Sequence, residues 1–457
     1  MADFFDMFER ALKGPVMSES DFEMRRFMPK VHELVRKYEI KFDRENPVPS
    51  DETLVENLFK AAVELVKEVG FYCTDTNRVM EFSEEEIHDR IRKAKGVCYA
   101  GEGKDAGIFG TRKPDEKTLP WMHVGSGIVI SSKDLMYNLI ESYAQIEEAN
   151  SISISSLDSI KGFSVTAGSP VELYAAIEGI KVGRDALRRA GRPGLPIMNL
   201  ISTAASAVTT IGASAAQFGL RPTDGWLCGA ISEMKIDFGA LNKVAYLLNW
   251  GANIGAETSP ILGGYAGGAE GTAIVSTAYI LMGILVFMGN YQLTFPVHFR
   301  YGCSSTRDIL WAVATSCQAA SKYIPMPVIW LGYMSGGPGT EHYFYEAAAH
   351  ILTSVTSGAP SVQTPHPAKA VKVDGITPIE ARFAVDMIKA SSKLTRAQAG
   401  ELVNRLLEKY ETRIPEAPEG KTYQELYDIS TGKPKDEYLK LMDNVKEELV
   451  RIGIPIE

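Results

Sequence analysis

A chain of 457 residues can bury a large core, and its 45% hydrophobic and 23% charged residues are those of an ordinary globular protein. A formal net charge of −9, with no stripe of Lys and Arg interleaved with aromatics, argues against nucleic acid or an anionic membrane as the main partner. The five cysteines (Cys73, Cys98, Cys228, Cys303 and Cys317) show no CxxC spacing, which suggests reduced thiols and a cytoplasmic setting.

The N-terminus, MADFFDMFERALKG, reads as an amphipathic helix of mixed charge and lacks the basic and apolar regions of a signal peptide. Apolar residues spaced by three and four predict helices over Phe22–Tyr38 and Asp51–Val69. Ser83, followed by Glu84, Glu85 and Glu86, supplies an N-cap and an acidic first turn for another. FYCTDT (Phe71–Thr76) is a β-favouring fragment. Residues 101–120 are polar and glycine-rich, and read as a long loop or hairpin rather than core.

From residue 121 short apolar strands alternate with helical stretches. Strands are predicted near His123–Ile130, Ser151–Ser156, Pro196–Ile201, Trp226–Ile231, Ala252–Glu257, Gln292–His298, Pro327–Tyr333 and Pro360–Gln363. Helices are predicted at Pro170–Ala190, Gly239–Leu248, Ala269–Met288, Ser305–Ser321 and Thr340–Ser354. The longest apolar run, Thr272–Met288, is broken by Ser276, Thr277 and Gly283 and reads as a buried helix rather than a membrane span. Strand–helix alternation implies a parallel sheet, and eight units imply an α/β (β/α)8 TIM barrel. A doubly wound open sheet is the alternative, but no GxGxxG opens the first βα turn. After residue 376 come further helices at Pro378–Ala390, Thr395–Tyr410 and Lys435–Arg451, interrupted by APEGKTYQELYD (Ala417–Asp428). The expected organisation is an N-terminal helical and loop extension over 1–120, the barrel over 121–375, and C-terminal helices over 376–457.

Barrel active sites are built from strand C-terminal ends. Glu257 ends one strand, just before the glycine-rich run TSPILGGYAGGAEGTAIV. His298 and Arg300 end the next, and Tyr333 the one after, before SGGPGTE. A Glu, a His, an Arg and a Tyr at one mouth could do acid–base work or hold a polar ligand. Each taken singly is as well explained by a structural hydrogen bond or ion pair. Glu257 is the strongest candidate, because packing alone does not explain a carboxylate beside so much glycine. Glu270 and Glu341 read as helix N-terminal acids. No metal-ligand spacing, HExxH, GxSxG or Walker loop is present, so no metal is expected. Nor is there the D-x-H-x-x-G pattern of many cobalamin proteins, so any corrinoid would be carried by another protein.

The blocks FYCTDT, GRPG (Gly191–Gly194), EMKIDF (Glu233–Phe238), PILGGYAGGAEGTAIV, PVHFRYGCSSTR, GPGTE and APEGKTYQELYD, in this order, resemble the monomethylamine methyltransferases of methylotrophic methanogens. The resemblance implies an eight-stranded βα barrel, a homo-oligomer (a homohexamer), and transfer of a methyl group from a methylated amine to Co(I) of a separate corrinoid protein. No tightly bound cofactor is then expected in this chain. That family carries a pyrrolysine before a Thr-Asp pair upstream of the EMKIDF-like block. Counting back from Glu233 without a gap puts the pair on Thr223-Asp224 and the pyrrolysine position on Pro222, whose side chain can neither form an adduct nor move a proton. Two polar positions of the family pocket fall on Leu227 and Leu331, while Glu257 is kept. The chain thus resembles a member lacking pyrrolysine, acting on a small methylated compound such as a quaternary amine. Trp226, Tyr265, Trp330 or Tyr333 could offer cation–π contacts. Native monomethylamine activity with pyrrolysine replaced, or a non-catalytic barrel, are the alternatives.

Overall fold

The computed structural model describes residues 2–201 and 206–456. Eight parallel strands close into a barrel. They are β1 Trp121–Gly125, β2 Ser151–Ser153, β3 at residues 197–200, β4 Gly225–Gly229, β5 Asn253–Thr258, β6 Tyr291–Thr294, β7 Val328–Trp330 and β8 Ser361–Gln363. The sheet runs β4-β5-β6-β7-β8-β1-β2. β3 closes it through Ile152↔Ile197 and Leu200↔Trp226. All eight predicted strands are present, two of them continuing as short outer strands (Val129–Ile130 and Val297–His298) that pair away from the barrel sheet.

A helix follows each strand: α1 Lys133–Ala144, α2 Pro170–Arg189, α3 Ala207–Ala213, α4 Phe238–Trp250, α5 Ala269–Leu285, α6 Arg307–Tyr323, α7 Glu341–Thr356 and α8 Pro378–Ser391. Side-chain caps begin several of them: Ser132 accepts from Leu135 N–H, Asp237 from Ala240 N–H, and Thr377 with Glu380 forms a full capping box. Helix α5 is buried on almost every face, which is why its sequence is apolar all round. It is covered from outside by the N-terminal helix Glu52–Val69, which also lies on α6. Helices Arg396–Tyr410 and Asp436–Arg451 cover α7. Among the described residues, no helix is long and apolar enough to cross a membrane.

Strand parity decides which side chains fill the barrel. Met198, Leu227, Tyr291, Leu293, Ile329 and Leu331 point inward and form one cluster with Trp121. Tyr291 spans the interior and its hydroxyl donates to Met198 O at 2.8 Å. A Cβ on Gly255 would lie 2.5 Å from that ring, so a glycine is required opposite it. The 101–120 segment enters a hairpin, as read from sequence, but part of it is core. Val97–Ala100 and Gly107–Gly110 form a hairpin, and fully buried Phe109 packs on Trp121 and Tyr291 as a plug in the barrel floor. Its neighbour Ile108 points the other way and is exposed, because only one face of the hairpin enters the core.

Candidate active site

At the C-terminal ends of the strands lies a cavity of about 180 Å³. β4, β5, β6 and β7 contribute Leu227, Glu257, Leu293 and Leu331, and Tyr333 follows β7. β2, β3 and β8 contribute Ser153, Asn199 and Gln363. His366 and Ala370, just after β8, and Gly127–Val129, after β1, complete the wall.

Glu257 owes its position to β5. Gly255 and Glu257 share the inward parity, and the pairing Glu257↔Leu293 sets the carboxylate beside a leucine. Its side chain has no hydrogen-bond partner among the described residues and is open only to the cavity. Burial pushes its pKa up to about 7, opposed by the Lys243 ammonium on α4. The carboxyl group therefore sits near its midpoint at neutral pH, ready to be drawn to the charged form by a cation. Tyr333 stacks on Phe295 at 5.0 Å and on His366 at 5.5 Å between ring centroids. Burial, reinforced by the Glu257 charge, keeps its phenol un-ionised well above neutral pH. Burial also pushes His366 down to about 3, so that ring is uncharged.

The structure brings Leu227, Glu257, Leu331 and Tyr333 together around one cavity, and leaves Pro222, Trp226, Tyr265, His298, Arg300 and Trp330 outside it. Pro222 is exposed and lies before β4, at the N-terminal end of the barrel, where its carbonyl accepts from Asn253 N–H at 3.1 Å. It does not approach Glu257, so the gapless count back from Glu233 is rejected. Asp224, on which that count hung, is a floor residue: it pairs with Arg184 of α2 and accepts from Ile197 N–H at 3.1 Å. Trp330 is fully buried on the outward side of β7, and Trp226 likewise on β4, where its indole donates to Ser214 Oγ at 2.8 Å. Both pack the barrel against its helices, because each is one residue out of phase with the inward leucines.

His298 and Arg300 lie on the mouth surface, away from the cavity. His298 lies tilted against Tyr301 at 4.6 Å between ring centroids and accepts from Arg300 N–H, while the Arg300 side chain is exposed. Tyr265 is 36% exposed and lies outside the cavity. The glycine-rich run after Glu257 has its own purpose. It turns back on itself (Gly263 N–H to Gly267 O, 2.8 Å) and carries Glu270 to Phe42 N–H at 3.1 Å, docking the N-terminal region. Glu257 and the glycines are thus neighbours in sequence with separate roles.

Ser153, Asn199, Leu293, Gln363 and His366 were not singled out from sequence. Gln363 ends a predicted strand, a signal the sequence offered, whereas Ser153 lies inside its predicted strand and becomes a strand end only in the structure. Among the described residues no group of three or more His, Cys, Asp or Glu could hold a metal ion.

The model of a monomethylamine methyltransferase MtmB family matches residues 2–454. The Methanosarcina barkeri monomethylamine methyltransferase MtmB1 is 32% identical over 452 residues, 99% of this chain and 98% of that protein. MtmB2 of Methanosarcina acetivorans is also 32% identical, again over 99% of this chain and 98% of its own length. The crystal structure of Methanosarcina barkeri MtmB superposes with a TM-score of 0.94 at 31% identity, covering 98% of both chains. A crystal structure of a hydroxylamine MtmB complex matches equally, with a TM-score of 0.94. With one fold, one length and a third of its residues shared from end to end, the chain belongs to the monomethylamine methyltransferase MtmB family, a family of methyltransferase enzymes.

Proposed function

We propose that this chain moves a methyl group from a small methylated ammonium compound to Co(I) of a separate corrinoid protein, and does so without pyrrolysine. The observation that carries the reading is Glu257. A carboxylate with no hydrogen-bond partner among the described residues lies with Leu227, Leu293 and Leu331 around a barrel-mouth cavity, the Lys243 ammonium acting on it from α4. A cation is the ligand that best complements a part-buried carboxylate lacking a hydrogen-bond partner. All 457 residues are of the standard twenty types, which supports a reading without pyrrolysine. The described cavity wall carries no electrophile in its place. A quaternary ammonium needs none, because its fixed positive charge already makes the amine a leaving group.

The cavity volume of about 180 Å³ lies below the roughly 300–1,000 Å³ of sites for drug-sized ligands. It suits a donor of a few heavy atoms and cannot admit a corrin ring, which fits a corrinoid held by a partner outside the mouth. When docked, that partner supplies a cobalt nucleophile able to accept the methyl group. Glu257 pairs with the ammonium and fixes the cation inside. The leucines exclude water and keep the surroundings poorly solvating, so the charge lost on methyl departure is no longer held by solvent. Tyr333, braced by Phe295 and His366, closes the wall beside Glu257. A homo-oligomer, a homohexamer, is part of this reading, as the family resemblance implies.

The test is methylation of a reduced corrinoid protein followed by visible absorbance, across mono-, di-, tri- and tetramethylammonium. Turnover with a donor whose nitrogen carries a fixed charge is expected. A preparation that is folded yet silent on every donor, beside a corrinoid protein active with another methyltransferase, overturns the reading.

A further inference from the structure

Helix α4 lies over β4 and β5, and its buried face carries Ala240, Lys243, Val244 and Leu247. Lys243 stands out in that series, at 6% exposure on a face otherwise built of apolar side chains. A buried ammonium is costly, and a lysine at such a position ordinarily lays its stem on the core and keeps its charge in water. Here the charge reaches the site instead. Gly229 of β4 pairs with Glu257 of β5, and Cys228 precedes it on the outward side of the strand, in the packing layer of Trp226. The Lys243 ammonium acts on both the Cys228 thiol and the Glu257 carboxyl, which sets it behind the seam where β4 and β5 reach the mouth.

The other groups around Glu257 are neutral. Burial pushes the Cys228 thiol up to about 12 and keeps the phenols of Tyr291 and Tyr333 un-ionised well above neutral pH. His366, in the same cavity wall, is held uncharged by its burial. Ser153, Asn199 and Gln363 bring hydroxyl and amide groups. Helix α5, which also packs on β5, has no charged residue after Glu270, and Glu270 is taken up by Phe42 N–H. Among these groups Lys243 alone carries charge toward Glu257, with the sign that favours the carboxylate.

Building on the methyl-transfer reading, we infer that Lys243 is a positioning residue for the donor cation, holding Glu257 ionised from behind the barrel wall and so setting the pH range over which a fixed cation binds. Its effect has two signs. In the acid range the lysine helps, because a carboxylate that it keeps ionised is ready for the donor. In the alkaline range the carboxylate is ionised in any case, and the lysine only repels the second cation that enters the cavity. Removing the lysine's charge should therefore weaken binding at one end of the pH range and not at the other.

The experiment measures calorimetric binding of tetramethylammonium between about pH 5.5 and 9 without corrinoid protein, and kcat/KM over the same range with it. Lys243→Met keeps an apolar stem and removes the charge, and Lys243→Gln does the same with a polar end. Both should move the binding midpoint up by about one pH unit and weaken binding several-fold near pH 6. Near pH 9 both should match or exceed the unaltered protein. Lys243→Arg keeps the charge and should keep the midpoint. A lysine that only tied α4 to the barrel would lower stability and leave the midpoint in place. Tetramethylammonium bound with a midpoint that neither neutral variant moves, or that Lys243→Arg moves equally, overturns the lysine's role and leaves the methyl-transfer reading standing. Failure of both neutral variants to fold makes Lys243 a stability residue and also overturns that role. No binding or turnover at any pH overturns both.

Discussion

The two ends of the barrel treat polar groups in opposite ways. At the floor, buried charges are paired. Arg184 meets Asp224 and donates to Gly219 O at 2.7 Å, and Arg192 meets Asp105, whose other oxygen accepts from Gly194 N–H at 3.2 Å. Arg112 donates to Val355 O at 2.9 Å and to Thr118 O at 3.1 Å. The Phe109 hairpin then seals the interior. At the mouth, the carboxylate of Glu257 and atoms of Ser153, Gln363 and His366 have no hydrogen-bond partner among the described residues. The difference teaches where each end's energy goes. Paired charges tie the floor together, and the polarity left unpaired at the mouth comes at a cost in stability.

The largest test of this contrast is at the floor. Arg184→Ala strands Asp224 in a buried site, and thermal or urea unfolding should report a loss of about 3–5 kcal/mol. Molecules that remain folded should keep their turnover per site. The mouth should behave in reverse. Glu257→Gln is expected to lower kcat/KM for a quaternary donor by about 100-fold or more, since it removes the charge that holds the cation. It should not unfold the protein. The sign of its stability effect follows from the raised pKa. The buried carboxyl favours the folded state while protonated, and that contribution is lost as pH rises from the ordinary carboxyl range through about 7. The Tm of Glu257→Gln should therefore overtake that of the unaltered protein above pH 7, with the gap closing near pH 4.5. A gap that grows toward acid would contradict the assignment.

The same titration governs binding. A fixed cation cannot lose charge, so below pH 7 protons compete with it for Glu257, and kcat/KM should fall by about tenfold per pH unit. A flat profile between pH 5 and 8 would remove Glu257 from cation binding. Smaller still is Leu331→Ala, which widens the apolar wall. Selectivity among donors should shift toward bulkier ammonium groups by several-fold, measured as kcat/KM ratios, with the reaction type kept. The smallest effect is expected at Pro222. Exposed and remote from the cavity, Pro222→Ala should change stability by no more than about 0.5 kcal/mol and leave turnover unaltered.

Periodicity and strand-end position carried most of the architecture. Alternating apolar strands and helices made the barrel legible from residue 121, and the cap at Ser83 marked a helix start. Glu257 could be read as a mouth residue because an apolar strand that ends on a carboxylate, just before a glycine-rich turn, sets that charge where barrel strands open to ligand. The tertiary structure alone decided what depends on parity, register and closure. Trp226 and Trp330 differ from Leu227 and Leu331 by one position, and a strand turns that single step into the opposite face. Pro222 precedes β4 at the N-terminal end of the barrel and Glu257 lies near the C-terminal end of neighbouring β5, a distinction no residue count conveys. Phe109 became core, and Gln363 and His366 came to share a cavity with Ser153, only because β8 pairs with β1 and closes the ring. Local pattern reaches across a few residues. A closed barrel joins segments more than 200 residues apart, and its active site is made of such joins.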